Sequence, residues 1–248
     1  MSIDEKLDRA PLITGSLSVD QVLEHLAESR PVFHSEADFQ HAFARAVWDL
    51  APEIGCRLEV RQSETQRKSY LDLLCLQGSA STAIEFKYHT RRWSGELGEP
   101  PERFSLKSHA ATDLARRNFV FDIARLETFC ATPGRTGLAI MLTNDPVLWT
   151  PPSATSRRTR DHEFRVHEGR VLRGHLRWAE GTYVPNERLL GGRYELRWRD
   201  YAAPADGLQL RQLVVEVSTT AYDERPLIEV QEASPRRTLD CGPAGDLV

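Results

Sequence analysis

The 248-residue sequence predicts an α/β protein: a central mixed β-sheet flanked by helices, with additional antiparallel strands toward the C-terminus. Three observations carry this. Apolar residues recur at three- and four-residue steps from Phe39 to Leu50, the period of a helix with one buried face. Three short strand-like segments lie between residues 56 and 88. The apolar run Gly137-Leu138-Ala139-Ile140-Met141-Leu142 then follows a helix-compatible stretch from Asp113 to Phe129, as expected of a crossover into a buried parallel strand.

Each element has its local reason. Ser18 with Gln21 reads as a capping box, and Val19, Val22, Leu23 and Leu26 follow at helical spacing up to Arg30-Pro31. Ser35 with Asp38 opens the second helix, which Pro52 ends. Cys56, Leu58 and Val60 alternate with Arg57, Glu59 and Arg61, the two-residue period of a half-exposed strand. The run Tyr70 to Leu76 is apolar on both faces except at Asp72, and Gly78-Ser79 turns the chain into Thr82 to Tyr88, which predicts a hairpin. Thr90 to about Ser108 reads as a loop. Beyond a Pro/Ser/Arg-rich loop (Thr150 to Asp161), Phe164–His167, Leu172–Trp178, Tyr194–Trp198 and Leu208–Val217 read as antiparallel additions to the sheet.

Composition excludes several classes. With 40% hydrophobic and 27% charged residues the chain is of ordinary globular make-up, and it has no apolar run long enough to cross a membrane. An acidic N-terminus (Asp4, Glu5, Asp8) argues against a signal peptide, and Cys56, Cys75, Cys130 and Cys241 are too scattered for a zinc knuckle or disulfide framework, so a cytoplasmic protein is expected. No phosphate-binding G-x-x-x-x-G-K-[ST] loop, G-x-S-x-G elbow or dinucleotide-binding glycine pattern is present. His34, His41, His162, His167 and His175 are too dispersed for a metal cluster. The net charge of -4 hides a basic stretch: residues 150–199 hold 11 basic and 6 acidic side chains. Such a stretch either meets phosphates or lies solvated.

The chemistry concentrates on the paired strands. Residues two apart on a strand share a face, so Glu85 and Lys87 project together while Ile84, Phe86 and Tyr88 turn to the core. Asp72, on the neighbouring strand, puts a carboxylate on an otherwise apolar surface. Two adjacent carboxylates repel unless a cation lies between them, and a hard divalent ion suits oxygen donors. Glu36, in the first turn of the second helix, lies about 50° from the centre of that helix's apolar stripe, which lets it reach the same place. Helix-dipole complementation and solvent decoration are the competing explanations for Glu36 and for Glu85/Lys87 taken singly. The chain has only four lysines among 32 basic residues, which makes a lysine at position 87 informative.

An acidic helix residue, an Asp within Tyr70-Leu71-Asp72-Leu73-Leu74, and Ile84-Glu85-Phe86-Lys87 on the next strand resemble the PD-(D/E)XK nuclease superfamily, with its restriction-endonuclease-like fold. The predicted order of helix, three strands, helix and strand matches that superfamily's core over about residues 33–145, although Leu71 stands where the name-giving proline would be. The expectation is one domain over residues 1–248, with a β-rich extension at about 160–220 and a loose tail at about 233–248. The resemblance implies that Asp72, Glu85 and the Phe86 carbonyl bind Mg (or Mn). Lys87 would orient or deprotonate the attacking water, and Glu36 would hold a water of that ion or a second ion.

By the same resemblance the substrate is DNA, double-stranded rather than single-stranded, cut to leave 5′-phosphate ends in restriction or another anti-phage role. A homodimer would let two copies cut both strands. Arg91, Arg92 and Trp93 directly after the motif, and Arg116 and Arg117 on the crossover helix, are candidate nucleic-acid contacts, with a solvated surface as the alternative. The competing function is a catalytically inactive nucleic-acid-binding or assembly module that keeps the fold.

Overall fold

The computed structural model describes residues 10–62, 69–153 and 155–218. A short ribbon, β1 (Leu12–Ile13) with β2 (Leu17–Ser18), leads into helix α1 (Val19–Ser29) and helix α2 (Glu36–Leu50). Strands β3 (Gly55–Gln62), β4 (Ser69–Gln77) and β5 (Ala80–His89) come next, then the hairpin β6 (Trp93–Leu97) and β7 (Glu102–Leu106). Helix α3 (Thr112–Cys130) crosses to β8 (Arg135–Thr143), followed by the single turn α4 (Pro146–Trp149). The chain closes with β9 (Val171–Leu176), β10 (Arg188–Glu195), β11 (Trp198–Ala205) and β12 (Leu208–Val217).

The predicted fold class holds. Six strands form one mixed sheet in the order β11-β12-β8-β5-β4-β3, in which β5 and β8 run parallel and every other pair is antiparallel. Alternation splits the core between two faces. Phe86, Tyr88, Leu138 and Ile140 pack under α1 and α2, whereas Ala83, Ala139 and Met141 pack under α3 and the β9–β10 pair. Odd-numbered β5 residues, including Glu85 and Lys87, therefore belong to the α3 side.

Several expectations need correction. Ser35 caps α2 as predicted, its side chain accepting from the Asp38 N–H, but Ser18 makes no side-chain cap bond to α1. The 90–108 segment contains the β6–β7 ribbon, which Gly95, Gly98 and Pro100 had disguised as loop; it buries Phe104 and Leu106. Phe164 lies in a 3-10 turn (His162–Phe164) instead of a strand, because the Phe164 N–H folds back onto the Asp161 carbonyl. Residues 194–198 fall across the end of β10 and the start of β11. Only β11 and β12 extend the main sheet; β9 and β10 pair separately. The expected loose tail, with Cys241, lies outside the described residues.

Candidate active site

The β4–β5 ladder runs from Gln77↔Ala80 to Leu73↔Ile84 and stops there. The face alternation of β4 breaks at the same place: Leu73 and Cys75 enter the α1/α2 core but Leu71 enters the α3 core. Opposite this break, Glu59 of β3 takes a left-handed backbone (φ 52°). Past the break β5 still pairs with β8, but its N–H groups on the β4 side lack a strand partner, and a buried N–H must find another acceptor. Two carboxylates meet that need. Asp72 Oδ2 accepts the Phe86 N–H at 2.8 Å, and Glu36 Oε2 accepts the Tyr88 N–H at 2.8 Å. Glu36 therefore reaches the sheet from the first turn of α2, as its place beside the apolar stripe predicts.

Glu85 is 1% exposed. Its Oε2 meets Arg125 Nη2 of α3 at 2.5 Å, while its Oε1 is buried with no hydrogen-bond partner. Arg125 Nη2 also reaches Asp122 Oδ1 at 2.7 Å. Lys87 Nζ lies 2.8 Å from Asp122 Oδ2 and donates to the Phe86 carbonyl at 2.8 Å. The structure thus gathers Glu36, Asp72, Glu85 and Lys87, and adds Asp122 and Arg125, which sequence reasoning missed.

The electrostatics follow from crowding charge in a dry place. Burial, reinforced by the Asp72 charge, pushes the Glu85 carboxyl up to about 9 against the pull of Arg125. Burial likewise raises Glu36 and Asp122. Burial would lower Lys87, but Asp122 and Glu36 outweigh it, and the ammonium is held above its ordinary value.

These residues fit a divalent cation on three counts. Four carboxylates face only Lys87 and Arg125, leaving two uncompensated negative charges when all are ionised. Glu85 Oε1 is a buried oxygen with no hydrogen-bond partner. A Mg²⁺-class ion keeps several waters and needs only one or two carboxylates. Among the described residues no three His, Cys, Asp or Glu side chains converge tightly enough to hold an ion alone. The Asp72/Glu85 pair, the Phe86 carbonyl and water would complete the coordination.

The predicted nucleic-acid contacts divide. Arg91 and Arg92 are exposed, and Trp93 is half-buried against the α1/α2 core. Arg117 lies over the Phe121 ring at 4.2 Å. Arg116 is 4% exposed, bonded to Asp161 at 2.6 Å and to the Val147 carbonyl at 2.8 Å. It ties α3 to Val147 and Asp161. No helix of the described residues is long and apolar enough to cross a membrane.

The fold and the cluster define a mixed-sheet α/β protein with a buried, carboxylate-rich site at a break between two strands. Comparison of the chain with protein-family models, with curated proteins and with solved structures finds no match.

Proposed function

We propose that the chain is a metal-dependent nuclease of PD-(D/E)XK type that hydrolyses phosphodiester bonds in DNA. The observation that supports this best is the convergence of Asp72, Glu85 and Lys87, with Glu36 and Asp122, at the point where β4 and β5 part. Asp72, Glu85 and the Phe86 carbonyl would hold the ion. When bound, a Mg²⁺-class ion supplies charge neutralisation at the phosphate and a lowered pKa for water. Lys87, kept charged by its carboxylate neighbours, would orient the attacking water and offset developing charge; the raised pKa speaks against its acting as the base. Glu36 and Asp122 fix their partners in place, Glu36 through the β5 backbone and Asp122 through the Lys87 ammonium.

A second reading has its own observation. Arg125 already occupies Glu85 Oε2 at 2.5 Å, as in a protein that keeps the fold and binds nucleic acid without cutting it. Incubating the full chain with plasmid, linear and single-stranded DNA, and with RNA, in Mg²⁺, Mn²⁺ or EDTA separates the two. The nuclease reading expects metal-dependent cleavage lost in Asp72→Ala and Lys87→Ala. Cleavage that survives both substitutions refutes the site, and salt-sensitive retention of DNA with no cleavage selects the binding module.

A further inference from the structure

The basic 150–199 stretch is not uniformly free. Arg160 is paired with Asp113 at 2.5 Å, and Arg158 lies 3.6 Å from both Glu163 and Glu180. The unspent charge lies further on, at the β9–β10 pair. There Leu172, Leu176, Leu190 and Tyr194 face the α3-side core, and Arg173, His175 and Arg193 face solvent.

The strand register makes this face unusual. Leu189↔His175 and Leu190↔Gly174 set a pairing that, continued, would place Arg173 opposite Gly191. Instead Gly191 and Gly192 bulge out of β10, and Arg173 faces Arg193. The bulge is locked from beneath: the buried Glu127 carboxylate of α3 accepts the Gly191 N–H at 3.0 Å, the Gly192 N–H at 2.8 Å and the Tyr194 hydroxyl at 2.7 Å. Gly192 has no room for a side chain, since an added Cβ would lie 2.4 Å from the Tyr194 hydroxyl. A buried carboxylate thus enforces a register that sets two like charges directly across the strands, which is destabilising in the free protein.

Arg173 has no ion-pair partner among the described residues, and Arg193 only a remote one, Glu195 at 3.9 Å. Arg173 and Arg193 line a recess of about 590 Å³ together with Arg170, His167, His175 and Glu163. Glu163 is already engaged by the Arg177 N–H at 2.7 Å and the Arg177 guanidinium at 3.4 Å. The recess is therefore net positive, with forked donors that match phosphate oxygens.

We infer that this recess is a phosphate-binding site that grips the backbone of a nucleic-acid strand, with Arg173 and Arg193 each neutralising one phosphodiester. The inference rests on the proposed nucleic-acid substrate and adds to it a contact surface outside the carboxylate cluster. Helix α3 joins the two, giving Asp122 and Arg125 to the cluster and Glu127 to the bulge.

The test is fluorescence anisotropy of a labelled DNA duplex with the full chain in EDTA, where no cleavage intervenes, over a KCl series. R173E/R193E should weaken binding at least tenfold and lower the slope of log Kd against log[KCl] by about two, one for each lost phosphate contact. R173K/R193K should keep most of the affinity. Both residues are exposed, so thermal melting should match the wild type. Unchanged affinity and slope in R173E/R193E overturn the site, and if Mg²⁺-dependent cleavage persists they leave the nuclease reading intact. Arginine-dependent binding without cleavage keeps the site and overturns the nuclease reading. A wild type that retains no duplex overturns the site as stated.

Discussion

Asp72 Oδ2 accepts the Phe86 N–H at 2.8 Å, so a side chain replaces a rung that the β4–β5 ladder has dropped. The carboxylate does structural and electrostatic duty at once, and two substitutions separate these. Asp72→Ala leaves the Phe86 N–H without an acceptor and should lower unfolding stability in urea by about 1–3 kcal/mol. Asp72→Asn keeps an oxygen there and should stay within about 1 kcal/mol of the wild type. By removing a charge that raises Glu85, Asp72→Asn should also shift that carboxyl downward, readable by NMR titration. Both variants should lose metal-dependent cleavage. Retained cleavage in Asp72→Asn would remove Asp72 from the ion site.

Glu85 gives the metal-free protein a pH dependence of definite sign. Its carboxyl rises from an ordinary 4.5 to about 9 on folding, so the folded state keeps a proton that the unfolded chain releases. That contribution is complete below the unfolded value and is lost as pH climbs through the folded one. Melting temperature in EDTA should therefore fall from about pH 5 to about pH 9. Glu85→Gln should flatten much of that fall, and Mg²⁺, which favours the ionised carboxylate, should flatten it in the wild type. A wild-type profile that rises across this window contradicts the buried, protonated state of Glu85.

The core and half of the site were legible in the sequence, for a physical reason. Strand alternation fixes which of residues 84 to 88 face which side, and the 3.6-residue period puts Glu36 at the edge of a buried stripe. Both rules act over a few residues, and both held. Asp122 and Arg125 were hidden because charges on a helix carry no sign of what they face; only packing of α3 over β8 and β5 turns them inward. A signal existed, since Asp122 falls three residues after the buried Phe119 and four before the buried Leu126. The Arg116–Asp161 pair was hidden for the same reason: its members are 45 residues apart, and no local pattern announces it.

Arg125 holds the place between Glu85 and Asp122 that an added cation would contest. Arg125→Ala leaves two buried carboxylates facing only Lys87. Breaking a fully buried pair costs about 3–5 kcal/mol; the Arg125 side chain is 30% exposed, so a loss of about 1–3 kcal/mol is expected in EDTA. Mn²⁺ should then raise the melting temperature of Arg125→Ala more than that of the wild type, because the ion replaces a charge the variant lacks. An equal or smaller rise would show that Arg125 and the ion do not share a position.

Glu127 anchors the C-terminal strands to the crossover helix, and its loss should be felt there first. The carboxylate accepts from Gly191, Gly192 and the Tyr194 hydroxyl, so Glu127→Ala orphans three donors, two of them buried. A stability loss of about 2–4 kcal/mol follows from hydrogen bonds to a buried charge. Glu127→Gln should not rescue it, since an amide offers one acceptor oxygen and turns its own N–H groups on a backbone donor. Hydrogen exchange at the Gly191 and Gly192 amides should quicken in both variants while the β5–β8 amides stay protected. Because the bulge sets Arg173 against Arg193, the same variants should weaken duplex binding in EDTA although no arginine has been touched. Exchange that quickens uniformly across the sheet would instead make Glu127 a member of the global core.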